Sequence, residues 1–508
     1  MNRLTVLLLL LLIVRAHAQP VASGGFDPGM VANVYTVALA FMEPRTLEQV
    51  PVPTLTVWGL RGLTALDPNL TAEQRAGKLV LSGRNGVLAE QPVPAGVAPE
   101  AWAAAAVRLS EAAAGASAAV RRAGTQGIIQ SFFDELFNHL DPYSRYVAPR
   151  EAAEDRAGRN GTAGLGLTLA QRGASILVRA AVADGPAAMA GVQPGDVVLS
   201  VDGAPVRGKD AATIAALLAG PAGTTLQMSW RGHDGKPRSA ELERSMVPPE
   251  SVFAERVGNL LLLRITAFNR STSAHLSEAL QDGMAAQHPP DGIILDLRGN
   301  RGGLLREAVE SADALLPAGV VAYTWGRDPD ADHVWRSAPG ELARGVPVVV
   351  VVDGRTASAA EILAAALADR GRAVVAGSTT LGKGLVQTID PLPDGGELFV
   401  TWSRVLAPRG WPIQGLGVLP QVCTSLGGAA LQRQLTALAE GVQPMQHDID
   451  VDRTARAPLS PARMLAIRSA CPAAEGREAD LATARALIDN PAAYAAALLP
   501  PLRQAAGE

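Results

Sequence analysis

At 508 residues the chain is too long for one ordinary core, and 48% hydrophobic against 19% charged residues describes globular domains, about two to four of them, rather than a disordered chain. A net charge of −4, with no basic patch alternating with aromatics, argues against nucleic acid as the main partner. Only Lys78, Lys209, Lys236 and Lys383 are lysines, leaving 45 − 4 = 41 arginines, so each lysine asks for a reason: a buried lysine can give up its proton and an arginine does not.

The first segment, MNRLTVLLLLLLIVRAHAQP, has a short basic start, an apolar stretch from Leu4 to Val14 and an A-x-A site before Gln19. It predicts a secretory signal peptide over residues 1–18, with Arg15 atypical and a retained anchor as the weaker alternative. No later run of 18 apolar residues follows, so the expected mature chain is exported, periplasmic or extracellular, without a membrane span. Cys423 and Cys471 then fall in an oxidising compartment, where they can form one disulfide and a metal site is not expected.

Residues 19–155 read as a helical region, with an alanine-rich helix from Ala101 to Arg122 and a second from Gly127 to Leu140 that Pro142 stops. Residues 156–248 alternate short β-type runs with glycine turns around one helix, Asp210 to Gly220. From 249 to 430 continuous apolar strands alternate with helices: NLLLLRITAF, a helix over Ser271–Gln287, GIILDLRG, a helix over Leu304–Leu316, VPVVVVV, another helix, then AVVAG. That pattern predicts a buried, largely parallel sheet. Residues 431–508 read as helical and alanine-rich, with no chemistry visible.

Chemistry concentrates where the run VVVVV breaks at Asp353-Gly354 and a helix begins. Ser358 and Glu361 there spell S-x-x-E, a capping box, so the serine is either a cap or a nucleophile. Lys383 follows 383 − 358 = 25 residues later between two glycines, about the path a β-α-β unit needs to return to the same sheet edge. A desolvated lysine there can take the serine proton, the Ser-Lys variant of serine catalysis, and Gln387 can hold the amine through its side-chain carbonyl. Upstream, RGNRGGLL from Arg298 to Leu305 is a glycine-rich strand-helix turn: it is either a conformational necessity or a set of amides for an oxyanion, and it lacks the ending of a phosphate-binding loop.

Together these residues resemble the carboxyl-terminal processing peptidases, tail-specific Ser-Lys proteases of family S41. TASAAEILAAALAD and GKGLVQT carry the likeness, with LDPYSRYV ahead of a PDZ-like domain, LDLRGNRGG as an oxyanion loop and GWPIQGLGVLPQV, Gly410 to Val422, closing the core. The resemblance implies an α/β fold: a crotonase-like, ClpP-like layered protease core over 249–430, an inserted α+β PDZ domain over 156–248, and helical N- and C-terminal regions. It assigns Ser358 as nucleophile, Lys383 as general base and Gln387 as its orienting partner. The oxyanion donors would be the amide of Ala359 and that of Gly302 or Gly303, with Glu361 supporting and Asp296 and Arg298 structural. Thr356 and Ala360 stand where many relatives have serine, and Arg301 where many have proline; none of these touches the Ser-Lys pair. In the PDZ-like domain, GLGL (Gly164, Leu165, Gly166, Leu167) is similar to the loop that holds a peptide's terminal carboxylate, with Ile214 and Leu217 expected along the side-chain pocket.

The resulting expectation is a serine endopeptidase without metal or organic cofactor, acting on exported proteins with exposed C-termini; self-association through the terminal helices stays open. Two other classes compete. One is a catalytically silent PDZ peptide-binding or chaperone-like protein, against which the intact Ser358, Lys383 and Gln387 set argues. The other is a crotonase-like enzyme of acyl-CoA thioesters, against which the signal peptide argues.

Overall fold

A computed structural model describes residues 25–502 except 344, so the expected signal peptide lies outside the described residues. The chain divides into two compact units. Among the described residues no helix is long and apolar enough to cross a membrane.

The first unit comprises residues 25–43, 50–146 and 392–394. Its helices pack through an aromatic cluster in which Tyr35 stacks on Phe132, ring centroids 3.9 Å apart, and meets Phe133 edge-on. Two expectations need correction. The helix read over Ala101–Arg122 is interrupted: Pro99–Ala116 ends at Ser117, which caps the next segment by accepting from the amides of Ala119 and Val120, and that segment, Ala118–Phe137, is itself kinked at Gly124 (φ 64°). And the region is not only helical: Thr71–Arg75, Lys78–Gly83 and Gly86–Pro92 form an antiparallel sheet, its turns set by Ala76 and Gly77 (φ 50° and 71°) and by Gly86 (φ 120°). The Asn85-Gly86 pair between alternating residues is a hairpin signal that outweighs the helical neighbours.

The second unit holds the PDZ-like region and the parallel sheet. In the former, five antiparallel strands run in the order Pro237–Glu243, Thr225–Arg231, Val197–Val201, Ser175–Ala181, Leu167–Arg172, which leaves Leu167–Arg172 at an edge. Helix Ala211–Leu218, capped by Asp210, closes a small core around Ile176, Val198, Ile214, Met228 and Trp230.

The large sheet orders its strands Val252–Val257, Leu260–Ile265, Gly292–Asp296, Val348–Val352, Val374–Gly377, Val422–Cys423, all parallel except the first. Both faces are buried, and the β pleat divides the residues between them. Val348, Val350 and Val352 face one core with helices Thr272–Ala285, Leu305–Asp313 and Ala359–Asp369; Val349 and Val351 face another with Ala484, Leu487, Ile488 and Leu438 of the C-terminal helices. A second, antiparallel sheet, which the sequence reading does not contain, orders His333–Ser337, Gly319–Gly326, Glu397–Leu406 and Leu385–Pro391. Helix Ala359–Asp369 contacts strands of both sheets, so all eleven of its residues are buried.

Candidate active site

Ser358 stands at the N-cap of that buried helix, in the turn that leaves strand Val348–Val352. Its backbone has φ 57° and ψ −121°. Three non-glycine residues have positive φ among the described residues, and this ψ lies far from the left-handed helical well near about +47°. Such a conformation costs roughly 1–3 kcal/mol and is held only where the surroundings over-determine it. Here they do. Thr356 Oγ1 donates to the Leu297 carbonyl (2.9 Å), the Ala357 amide to the Asn300 carbonyl (2.9 Å), and the Ser358 amide to Glu361 Oε2 (2.8 Å). Both arms of the capping box are in place, but only the carboxylate-to-amide arm is a full hydrogen bond; the serine hydroxyl faces the Glu361 amide without making one, and that amide donates to the Ser358 carbonyl (2.8 Å). The half-buried hydroxyl is therefore left for other work.

Glu361 connects the serine to the lysine. Its fully buried carboxylate accepts from Ser358 N and Lys383 N through one oxygen, 2.8 Å each, and through the other from Gly382 N (2.7 Å) and Thr380 Oγ1. Burial pushes the Glu361 carboxyl above its ordinary value, and these four donors oppose that. The Leu381 amide donates to the Thr356 carbonyl (2.9 Å), a second tie between the lysine loop and the serine turn. The far side of the loop is fixed by the GWPIQGLG segment: the Gly384 amide reaches Gln414 Oε1 (2.9 Å), the Gly415 amide reaches the Gly382 carbonyl (2.9 Å), and the Val418 amide reaches Thr380 Oγ1 (2.7 Å). A methyl group at Gly384 would lie 2.2 Å from Gln414 N, which explains the glycine after the lysine. Gln387, on strand Leu385–Pro391 at a register shift, donates through Nε2 to the Leu385 carbonyl (3.2 Å) and Thr401 Oγ1 (3.1 Å).

The glycine-rich loop lies against the serine turn. A methyl at Gly302 (φ 92°) would stand 2.7 Å from Ser358 Cβ and 2.9 Å from Ala359 N; one at Gly303 (φ 145°) would stand 2.1 Å from the Phe268 carbonyl. The two glycines differ in what they offer. The Gly302 amide is committed to Asn300 Oδ1 (2.8 Å), whereas the amides of Gly303 and Ala359 donate to no acceptor among the described residues. Arg298 grips Asp296 in a bidentate pair, 2.8 Å for each bond, and reaches the Arg477 carbonyl, which suits a structural role at the root of the loop.

In the PDZ-like region Gly164, Leu165, Gly166 and Leu167 line a groove of about 560 Å³ beside the edge strand. The carbonyls of Leu165 and Gly166 accept from Ala187 N and Val182 N, and the amides of Leu165 and Gly166 are unbonded among the described residues. The opposite wall is a correction: Ala215, Leu218 and Ala219 line it, while Ile214 is turned into the core and Leu217 is 41% exposed. The helix is rotated about one residue from the expectation, because positions 214 and 218, one turn apart, both serve the small core.

Several residues that hold the site are given no role in the sequence reading: Asn300, Thr380, Gln414 and Asp353. Asp353 Oδ1 accepts from the amides of Gly299, Arg355 and Thr356, 2.9–3.0 Å, in an Asx turn that its Asp-Gly pair could have signalled. The C-terminal region also reaches the site. Cys423 and Cys471 form a disulfide, and the segment beyond it bonds to both halves: the Ala474 carbonyl accepts from Gly354 N (2.8 Å) and from Ser378 Oγ (2.9 Å), and Thr379 Oγ1 donates to the Cys471 carbonyl (2.6 Å).

Residues 259–424 match the model of peptidase family S41, and residues 177–231 that of a PDZ domain. The chain is 34% identical over 303 residues to a carboxy-terminal-processing protease of Bartonella bacilliformis, covering 58% of this chain and 69% of that one. It is 33% identical over 293 residues to the chloroplastic carboxyl-terminal-processing peptidase 1 of Arabidopsis thaliana, covering 55% of this chain and 59% of that one. A solved photosystem II D1 C-terminal processing protease is 29% identical, with 60% of this chain and 86% of that one covered and a TM-score of 0.35.

Proposed function

The chain belongs to peptidase family S41, the carboxy-terminal-processing proteases, and carries a PDZ domain; from that membership we propose a serine endopeptidase working through a Ser358–Lys383 dyad on exported proteins whose C-termini the PDZ groove holds. The observation that carries the proposal is the shared carboxylate: one oxygen of Glu361 holds the amides of both Ser358 and Lys383 at 2.8 Å, so two residues 25 positions apart are fixed by one buried group. The strained, uncapping serine supports it.

In the proposed reaction the neutral Lys383 amine takes the Ser358 hydroxyl proton as Oγ attacks the scissile carbonyl. The tetrahedral oxyanion is met by the amides of Ala359, at the positive end of a helix, and Gly303. Gly302 is assigned a steric part, since its amide is already bonded. Lys383 then returns the proton to the leaving amine, and water repeats the sequence on the acyl-serine. With the Gln387 amide nitrogen committed, its carbonyl oxygen is the end proposed to hold the lysine. Upstream, the unbonded amides of Leu165 and Gly166 would receive a terminal carboxylate while the peptide adds to the edge strand. The division at 156–248 and 249–430, the crotonase-like layering, and a periplasmic or extracellular location belong to the same proposal.

The test is cleavage of an unfolded protein bearing an apolar C-terminus by wild type, Ser358→Ala and Lys383→Arg. Wild type alone should cleave, since arginine keeps the charge and cannot act as base. Equal cleavage by wild type and Ser358→Ala would sink the proposal, and no cleavage by wild type across pH would sink it and leave a silent peptide-binding protein.

A further inference from the structure

Helix Pro461–Arg468 lies outside the family-model match, which ends at residue 424. Its last residue nevertheless enters the active-site scaffold. Arg468 is half-buried and donates from Nη1 to the Leu416 carbonyl (2.6 Å), inside the GWPIQGLG segment. The same nitrogen would lie 3.3 Å from a methyl at Gly382 and 2.9 Å from one at Gly417, so both glycines make room for the guanidinium. Gly382 in turn gives its amide to Glu361 Oε1 (2.7 Å). The guanidinium and the buried carboxylate therefore both bear on one glycine of the lysine loop. Three residues on, Cys471 is bonded to Cys423, which fixes where the helix ends.

We propose that Arg468 is a positioning residue of the active site: it is the counter-charge that keeps Glu361 ionised, and so keeps the Ser358 turn and the Lys383 loop on one carboxylate. The proposal rests on the Ser-Lys reading above. A protonated Glu361 keeps its carbonyl oxygen but gives up an acceptor that its four donors share, and a buried carboxylate without a cation favours protonation. Burial holds the arginine's proton affinity below its ordinary value, and Glu361 and, secondarily, Asp452 oppose that in part. The charges that act on Arg468 are those of Glu361, from the nucleophile-bearing helix, and Asp452, from helix Gln446–Arg453. Asp452 is engaged by Arg453, which also pairs with Asp369 at 2.9 Å. Burial pushes the Asp452 carboxyl up to about 6, opposed by Arg453 and, more weakly, by Arg468, so Asp452→Asn beside Arg468→Gln separates its titration from that of Glu361.

Removing the cation should raise the proton affinity of Glu361 and of the lysine together, because a positive neighbour stabilises a carboxylate and destabilises an ammonium. The full-length protein would be assayed from pH 5 to 10 as wild type, Arg468→Gln and Arg468→Lys, with Ser358→Ala as the blank. Arg468→Gln is expected to lower kcat roughly 10- to 100-fold with KM within about twofold, and to move the acid limb of kcat/KM up by about one pH unit. Arg468→Lys should bring the limb back. An Arg468→Gln enzyme that loses activity equally at every pH, or keeps it, overturns the proposal. If Arg468→Gln does not fold, Arg468→Lys decides: a limb at the wild-type pH supports it and a displaced limb overturns it. Cleavage by Ser358→Ala would instead bring down the Ser-Lys reading, and this proposal with it.

Discussion

If the turn at Ser358 stores strain for catalysis, glycine there should make the protein more stable than alanine does. At φ 57° and ψ −121° an L-residue pays roughly 1–3 kcal/mol that glycine does not. Glycine loses about 0.5–1 kcal/mol more chain entropy on folding than alanine. Neither replacement removes the amide bonded to Glu361, and the serine hydroxyl makes no cap bond to lose. Ser358→Gly should therefore exceed Ser358→Ala in stability by about 0.5–2 kcal/mol, or roughly 1–8 °C in melting temperature for a cooperative unit of 150–250 residues. Calorimetric melting at one scan rate compares the two, both without proteolytic activity so that self-digestion cannot confuse them. A Ser358→Gly protein melting at or below Ser358→Ala would refute the claim that this backbone is strained, and with it the physical argument that separates nucleophile from cap.

Two other perturbations test the arms of the site. Ala215→Trp should fill the 560 Å³ groove and weaken binding of a fluorescent apolar C-terminal peptide at least about tenfold by anisotropy, while leaving the melting temperature near wild type. Replacing Cys423 and Cys471 by serine opens a loop with a sequence separation of 48, a loss of about 4 kcal/mol in the chain-entropy account. Because Cys471 leads into the Ala474 carbonyl that bonds Gly354 and Ser378, reduced protein should also lose kcat at temperatures where it is still folded by circular dichroism.

What was legible in the chain was what short-range pattern encodes. Five valines in a row announce a strand buried on both faces, and the structure divides them between two cores as the pleat requires. Ser358, Glu361 and Lys383 were visible because a capping signature and a rare residue type coincide. The second sheet was not: its strands contain Gly326, Asp390 and Arg404 and are only partly apolar, and their pairing joins segments as distant as residues 319–326 and 397–406. The groove wall was misplaced by one residue, since periodicity names an apolar helix face without saying which neighbour it meets. Beyond the disulfide that the two cysteines suggest, the C-terminal region reads as inert because its contribution is made by carbonyls and one arginine, which no sequence motif advertises.

The site is organised by two buried carboxylates whose partners are mostly main-chain amides. Asp353 collects amides from the glycine-rich loop, from its own turn and, through Gly476, from the C-terminal segment; Glu361 collects them from the serine turn and the lysine loop. A backbone donor survives side-chain substitution, so the identity of most residues in these loops is free as long as the path of the chain is kept. That accounts for why Ala360 and Arg301 can depart from the familiar pattern, while threonine at 356 keeps the hydroxyl that bonds the Leu297 carbonyl. It also locates the fragility. The positions that cannot vary are the acceptors Asp353 and Glu361 and the glycines the backbone must pass through, Gly302, Gly303 and Gly384, where a single methyl would sit 2.1–2.7 Å from the neighbouring chain. A serine and a lysine 25 positions apart have no reason of sequence to share a partner; here Glu361 ties the serine turn and the lysine loop to one carboxylate, and the glycines let the chain pass.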